Sequence, residues 1–238
     1  RYLFQNRAVR GEWVRLNQTF SDTLNTHHYP AAVRNLLGEM MVATSLLTAT
    51  LKFNGNITVQ IQGDGPLRLA LVNGSDQQQI RALARVDGEI GVDMALHEMV
   101  GKGVLVITIT PQDGERYQGV IGLDKPTLTE CLEDYFRRSE QLDTQLIIRT
   151  GEFAGKPVAA GMLLQVMPDG TGTEDDFEHL TTLAATVKDD ELFGLTAEEL
   201  LYRLYHEESV EVYPAQNVVF FCGCSAERSG AALLLLPE

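Results

Sequence analysis

The chain has 238 residues, 44% of them apolar and 22% charged, proportions that are ordinary for a globular protein with a sizeable buried core. Its 33 acidic and 19 basic residues give a net charge of −14, which argues against a nucleic-acid-binding surface. Three cysteines are too few for a secreted disulfide scaffold, and no apolar run reaches the ~18 residues of a membrane span, so we expect a cytoplasmic protein.

The first fifty residues predict a strand followed by two helices. Alternating residues over 8–14 predict the strand, and Asn17 is expected to cap a short helix that ends near Asn25. Pro30 suits the start of a longer helix that continues to about Leu51. Apolar residues fall on most faces of this longer helix, so we expect it to be buried on most sides.

Five strands are predicted after the long helix. They cover residues 57–62, 67–71, 80–86, 104–110 and 116–123. The Asn73-Gly74 pair is typical of a hairpin turn and is predicted to connect the second of these strands to the third. Short turns between alternating strands favour antiparallel pairing, and the predicted class is therefore α+β.

The second half of the chain predicts one more helix and two more strands before the composition changes. Thr127 and Glu130 form a capping box, and Cys131 lies on the apolar face of the helix that follows, so Cys131 is predicted to pack in the core. Strands are predicted at 145–150 and 158–166. Residues 167–172 are rich in glycine and polar residues and predict a linker.

Two amphipathic helices and a short hairpin are predicted beyond this linker. One helix begins near Thr173, and Thr196 caps the other with Glu199. We expect both helices to pack their apolar faces against the core, where they would cover an apolar patch. Residues 210–213 and 218–221 are predicted to pair with each other as the hairpin.

Cys222 and Cys224 form the most distinctive motif of the chain. Residues i and i+2 of an extended segment point to the same side, so both thiols can reach one soft metal ion or oxidise to a disulfide. A thiol-disulfide oxidoreductase would normally carry Cys-x-x-Cys at a helix N-terminus, and a zinc-dependent nucleic-acid-binding module would carry a basic face. Both classes remain alternatives. No other pattern of catalytic residues is recognised, and we predict that the protein is not an enzyme.

Several runs of the sequence strongly resemble the heat shock protein 33 family of redox-regulated bacterial chaperones. They are Ala43–Phe53, Ile57–Pro66, Gly114–Gly119, Leu132–Phe136, Gly161–Gln165, Leu204–Glu208 and Cys222–Ser225. The resemblance implies a holdase that is inactive while Cys222, Cys224 and a later Cys-x-x-Cys pair bind one zinc ion as thiolates. Oxidants would convert the thiolates to disulfides, release zinc and unfold the linker region, which exposes a surface for unfolded or oxidatively damaged client proteins.

The resemblance also implies a domain organisation and an assembly. We expect an α+β core at 1–168 with an antiparallel or mixed sheet and packed helices, a helical linker region at 169–208, and the start of a zinc-binding redox domain at 209–238. The second cysteine pair is absent from the sequence, so zinc is expected to be weakly held or absent and the chain to be active without an oxidant. A homodimer, with segments exchanged between protomers as one form of it, is expected.

Overall fold

One buried helix separates two β-sheets in the computed structural model, which describes residues 1–5, 7–50, 54–167 and 174–222. The first sheet has the strand order β10-β1-β2-β9-β8, and the second has the order β11-β5-β4-β3-β6-β7. All pairs are antiparallel except β11 with β5. The predicted α+β class with an antiparallel or mixed sheet is confirmed.

The strands and helices of the described residues have the following bounds. The strands are β1 (Tyr2–Phe4), β2 (Val9–Leu16), β3 (Gly55–Gly63), β4 (Leu67–Ser75), β5 (Gln79–Val86), β6 (Gly103–Pro111), β7 (Tyr117–Gly122), β8 (Thr144–Phe153), β9 (Lys156–Val166), β10 (Val210–Val212) and β11 (Val219–Phe220). The helices are α1 (Gln18–Leu24), α2 (Ala31–Thr50), α3 (Leu96–Val100), α4 (Leu128–Tyr135, continued by a π-helical turn at Phe136–Glu140), α5 (Glu174–Ala184), α6 (Asp189–Gly194) and α7 (Ala197–Tyr205).

Helix α2 is the centre of the fold, as its sequence predicts. Fourteen of its 20 residues are buried, because both sheets pack against it. The helix lies so close to both sheets that glycine is needed beneath it. A Cβ on Gly161 of β9 would lie 2.6 Å from Val42 Cγ1, and one on Gly74 of β4 would lie 2.9 Å from Thr44 Cγ2. Helix α1 also forms, but the side chain of Asn17 makes no capping hydrogen bond.

The predicted turn at Asn73-Gly74 is wrong, because both residues lie within β4. Gly74 is required for the close approach of α2 rather than for a turn. The chain reverses instead at 76–78, where Gln78 adopts a left-handed φ of 54°. The Gln78 side chain is held there by Ser45 of α2, whose Oγ donates to Gln78 Oε1 at 2.7 Å. A hydrogen bond between distant segments therefore determines where this turn lies.

The predicted hairpin of 210–213 with 218–221 is also wrong. Strand β10 pairs with β1 in the first sheet, and β11 pairs in parallel with β5 in the second sheet. Each segment adds to a strand edge that would otherwise leave backbone N–H and C=O groups unpaired. Segments of only two or three residues are more stable when they add to the edge of an existing sheet than when they form an isolated hairpin.

The division into units at 168 and 208 stays a prediction. Strands β10 and β11 belong to the same sheets as residues of the first predicted unit, whereas the predicted linker at 167–172 lies mostly outside the described residues. Cys131 is buried on α4, as predicted, and burial raises the pKa of its thiol. Among the described helices, none is long and apolar enough to cross a membrane.

Candidate functional site

The first sheet has a large apolar face that three helices cover. We call residues 174–208, which form α5, α6, α7 and the turn that follows, the helical cover. The opposite face of this sheet packs against α2, so the sheet is buried on both sides. The covered face consists of buried residues from β1, β2, β8 and β9, namely Tyr2, Phe4, Val9, Ile147, Val158, Ala160, Met162 and Leu164.

The helical cover is amphipathic and contributes its own apolar residues to this contact. These are Leu180, Ala184, Val187, Leu192, Phe193, Leu200, Leu201, Leu204 and Tyr205, all of which are buried. Its last helix begins at the predicted capping box, in which Glu199 N–H donates to Thr196 Oγ1 at 3.3 Å and Thr196 N–H donates to Glu199 Oε2 at 2.9 Å. The hydrogen bond from the Thr196 backbone holds the pKa of Glu199 below its usual value.

Aromatic rings form the contact between β1 and the end of the cover. The ring centroids of Phe4 and Tyr205 are 4.8 Å apart in an edge-to-face arrangement, and Tyr2 packs edge-on to Phe4 at 5.7 Å. Burial raises the pKa of both tyrosines, so both side chains stay neutral while the cover packs on the sheet. Such edge-to-face pairs add to the free energy of burial and orient the two elements.

Polar contacts from the sheet fix the middle of the cover. Arg15 Nη1 donates to the carbonyl oxygens of Phe193 at 2.9 Å and Leu195 at 2.7 Å, which satisfies backbone acceptors at the C-terminal end of α6. At the other end of α6, Arg149 Nε lies 3.4 Å from Asp189 Oδ1. The cover is therefore oriented by side chains of the first sheet as well as by apolar packing.

The structure places one of the two predicted thiols. Cys222 lies two residues beyond the end of β11 and is exposed, whereas Cys224 lies outside the described residues. Backbone bonds from Val219 N–H to Gln78 O at 3.0 Å and from Phe221 N–H to Ile80 O at 3.1 Å hold this segment on the edge of the second sheet. The exposed thiol is accessible to an oxidant or to a metal ion.

The fit to zinc can be tested for Cys222 alone. Thiolates are good zinc ligands, and the exposed position of Cys222 leaves its sulfur within reach of a metal ion. No group of three or more His, Cys, Asp or Glu side chains is placed to bind a metal within the described ranges. Cys222 is thus the one member of the predicted ligand set that lies within the described residues, and its role as a ligand stays a prediction.

The predicted packing of the helices after residue 173 against the core is confirmed, but the sequence did not predict which strands these helices cover. The signal was present in β9, where Val158 to Leu164 reads as a continuous run of apolar and small residues rather than an alternation. A continuous run is typical of a strand that is buried on both faces. The run thus indicated a second layer on the sheet, although it could not show which segment forms that layer.

Comparisons with known proteins match the whole chain. The sequence model for the family described as Hsp33 protein matches residues 1–238. The chain is 82% identical to a 33 kDa chaperonin of Haemophilus influenzae (strain PittEE) over all of its residues, which make up 81% of that protein. It is 77% identical to the 33 kDa chaperonin of Pasteurella multocida, again over all of its residues and over 83% of the relative.

A solved structure has the same fold. The crystal structure of the 33 kDa chaperonin (heat shock protein 33 homologue) from Thermotoga maritima aligns with a TM-score of 0.83 at 21% identity. The alignment covers 97% of this chain and 81% of that one. At this identity the likeness supports the architecture described above.

Proposed function

Since this chain belongs to the Hsp33 family, it is a molecular chaperone that binds client proteins, and we propose that the covered face of the first sheet is its client-binding surface. The covered face carries this proposal. It is a continuous apolar surface on a sheet, and among the described residues it is the helical cover that separates this surface from water. Exposed apolar patches of this kind bind the apolar segments of unfolding proteins.

Client binding to the covered face requires the cover to detach while the sheet remains folded. The covered strands are supported from behind by α2 and by the long pairings of β2 with β9 and of β8 with β9. The cover has only short helices, which are marginally stable without a surface on which to pack. Detachment of the cover would therefore unfold it and leave a preformed sheet surface for the client.

We propose that Cys222 and Cys224 are the thiols that control this step. When zinc is bound, the thiolates and the metal would cross-link the segment after β11 and hold it in one conformation. An oxidant such as hydrogen peroxide would take two electrons from the two thiolates, which would form a disulfide while the peroxide is reduced to two hydroxide ions. Release of the metal would then loosen this segment.

The connection between the thiols and the cover is short. The chain leaves α7 at Tyr205, forms β10 on the edge of the first sheet and then forms β11 on the edge of the second. Strand β10 has three residues and β11 has two, so few backbone hydrogen bonds hold either one. Loosening near Cys222 would release β11 and then β10, and α7 would lose the strand that anchors its end.

The remaining expectations belong to the same proposal. A cytoplasmic location would keep the thiols reduced until oxidative stress, and dimer formation would enlarge the client-binding surface. Thiol-disulfide exchange as the main activity is not favoured, because Cys222 follows a strand rather than opening a helix. A chaperone that binds apolar segments needs no catalytic residues, which agrees with the expectation that the protein is not an enzyme.

Hydrogen exchange with a thermally unfolding client tests this proposal. Peroxide should increase exchange in α5, α6 and α7 while β2 and β9 stay protected, and added client should then further protect the strands of the covered face. The variants Cys222→Ser and Cys224→Ser should remove the response to peroxide. Client binding with the cover fully protected would show that the client-binding surface lies elsewhere.

A further inference from the structure

Arg7 contacts both ends of the helical cover from the turn between β1 and β2. Its Nε and Nη2 atoms donate to Glu208 Oε2 and Oε1, both at 3.1 Å, in a bidentate arrangement just beyond α7. Its Nη1 atom donates to Asp176 in the first turn of α5. His179 of α5 lies 3.0 Å from Glu208 Oε1. One guanidinium of the core therefore joins the first and the last segments of the cover.

The environment makes these contacts stronger than those of an ordinary surface ion pair. The side chains of Glu208 and Asp176 are only 11% and 17% exposed, so water competes little for their oxygens. The two carboxylates raise the pKa of Arg7, and the larger effect is that of Glu208. A bidentate guanidinium-carboxylate pair also has a fixed geometry, which an ammonium group cannot reproduce.

We propose that Arg7 is the positioning residue that keeps the helical cover closed over the client-binding surface, an inference that rests on the proposed function. Neither α5 nor the segment after α7 can leave the sheet without breaking a contact with Arg7. Because the two ends share this one side chain, release of one end weakens the attachment of the other. Arg7 thus makes the opening of the cover cooperative.

The position of Arg7 separates this role from the other polar contacts of the cover. Arg15 and Arg149 contact only α6 in the middle of the cover, and Arg15 bonds backbone carbonyls rather than carboxylates. A contact in the middle orients the cover but does not join its ends. Salt screens the attraction between Arg7 and the two carboxylates, so the closed state should weaken at high ionic strength.

The experiment compares hydrogen exchange of reduced protein carrying Arg7→Ala, Arg7→Lys or the control Arg137→Ala. The control breaks the Arg137–Asp134 pair, in which the carboxylate is 12% exposed, and within the described residues this pair lies outside the cover. Arg7→Ala should speed exchange in both α5 and α7 about tenfold, while β3 and β6 stay protected. Arg7→Lys should restore part of the protection, and 1 M salt should reduce the difference between wild type and Arg7→Ala.

A second measurement, suppression of client aggregation by the same reduced samples, distinguishes a failure of this inference from a failure of the proposed function. If Arg7→Ala opens α5 and α7 and also increases the suppression of aggregation, both are supported. If the cover opens without such an increase, the positioning role stands and the assignment of the client-binding surface fails. Exchange no faster than in Arg137→Ala, faster exchange at only one end of the cover, or equal loss of protection in β3 would overturn the role of Arg7.

Discussion

The substitution Leu200→Ala tests whether the cover opens as a unit above a sheet that stays folded. Leu200 is 0% exposed in α7 and packs in the cluster that joins the cover to the first sheet. Removal of a fully buried leucine side chain typically costs about 2–5 kcal/mol. If all of this free energy is lost from the packing of the cover on the sheet, the ratio of open to closed cover rises about thirtyfold to several thousandfold. This follows because about 1.4 kcal/mol is a factor of ten.

The assay is suppression of client aggregation by reduced protein, measured together with hydrogen exchange. Without an oxidant, Leu200→Ala should suppress aggregation more strongly than wild type does, and it should exchange more rapidly over α5 to α7. Tyr202→Ala is the matched control, since Tyr202 lies in the same helix and is 74% exposed, and it should behave as wild type. If Leu200→Ala instead lost protection equally in β3 and β9, the cover and the core would form one cooperative unit and the reasoning would be refuted.

Three further predictions concern single side chains. Burial raises the pKa of Glu39 on α2 to about 7, so folding stability should fall as pH rises from about 4.5 to about 7. Urea unfolding should therefore show that Glu39→Gln raises the free energy of unfolding by about 3 kcal/mol at pH 8 and leaves it nearly unchanged at pH 4. Gly74→Ala should cost about 1–3 kcal/mol in the same measurement, because the new methyl group would meet Thr44 Cγ2 at 2.9 Å; no loss would contradict the close packing of α2. Thr196→Ala should destabilise the closed cover by about 1 kcal/mol, seen as faster hydrogen exchange in α7 with β6 unchanged. Slower unfolding of the whole protein would contradict this prediction.

Local sequence signals predicted most of the elements of this protein. The alternation of Ile57, Val59 and Ile61 predicted a strand with one buried face, and all three residues are buried. The capping boxes at Thr127 and Thr196 placed the starts of α4 and α7 correctly. Such signals succeed because they depend on residues within one or two turns of each other, whose interactions are the same in any fold.

The candidate site was only partly visible in the sequence. Cys222 was recognised from its spacing to Cys224, and the structure places it at the exposed end of β11. The packing of the helices after residue 173 on the core was predicted and is confirmed, whereas the strands that they cover were not identified, because the continuous apolar run in β9 shows only that a second layer exists. Two of the three helices of the cover, α5 and α7, were predicted as amphipathic. Helix α6 was missed, since six residues carry too little periodicity to be detected.

The sequence by itself determined the class, the family and the presence of a thiol pair, whereas tertiary structure decided which surfaces meet. Asn73-Gly74 favours a turn locally, but the packing of Gly74 under α2 places it inside a strand. Arg7 and Glu208 are 201 positions apart, and no local pattern pairs them. Edge pairing, layer stacking and ion pairs of this kind depend on which backbone and side-chain groups remain unsatisfied after the core has assembled, and that is a property of the whole fold.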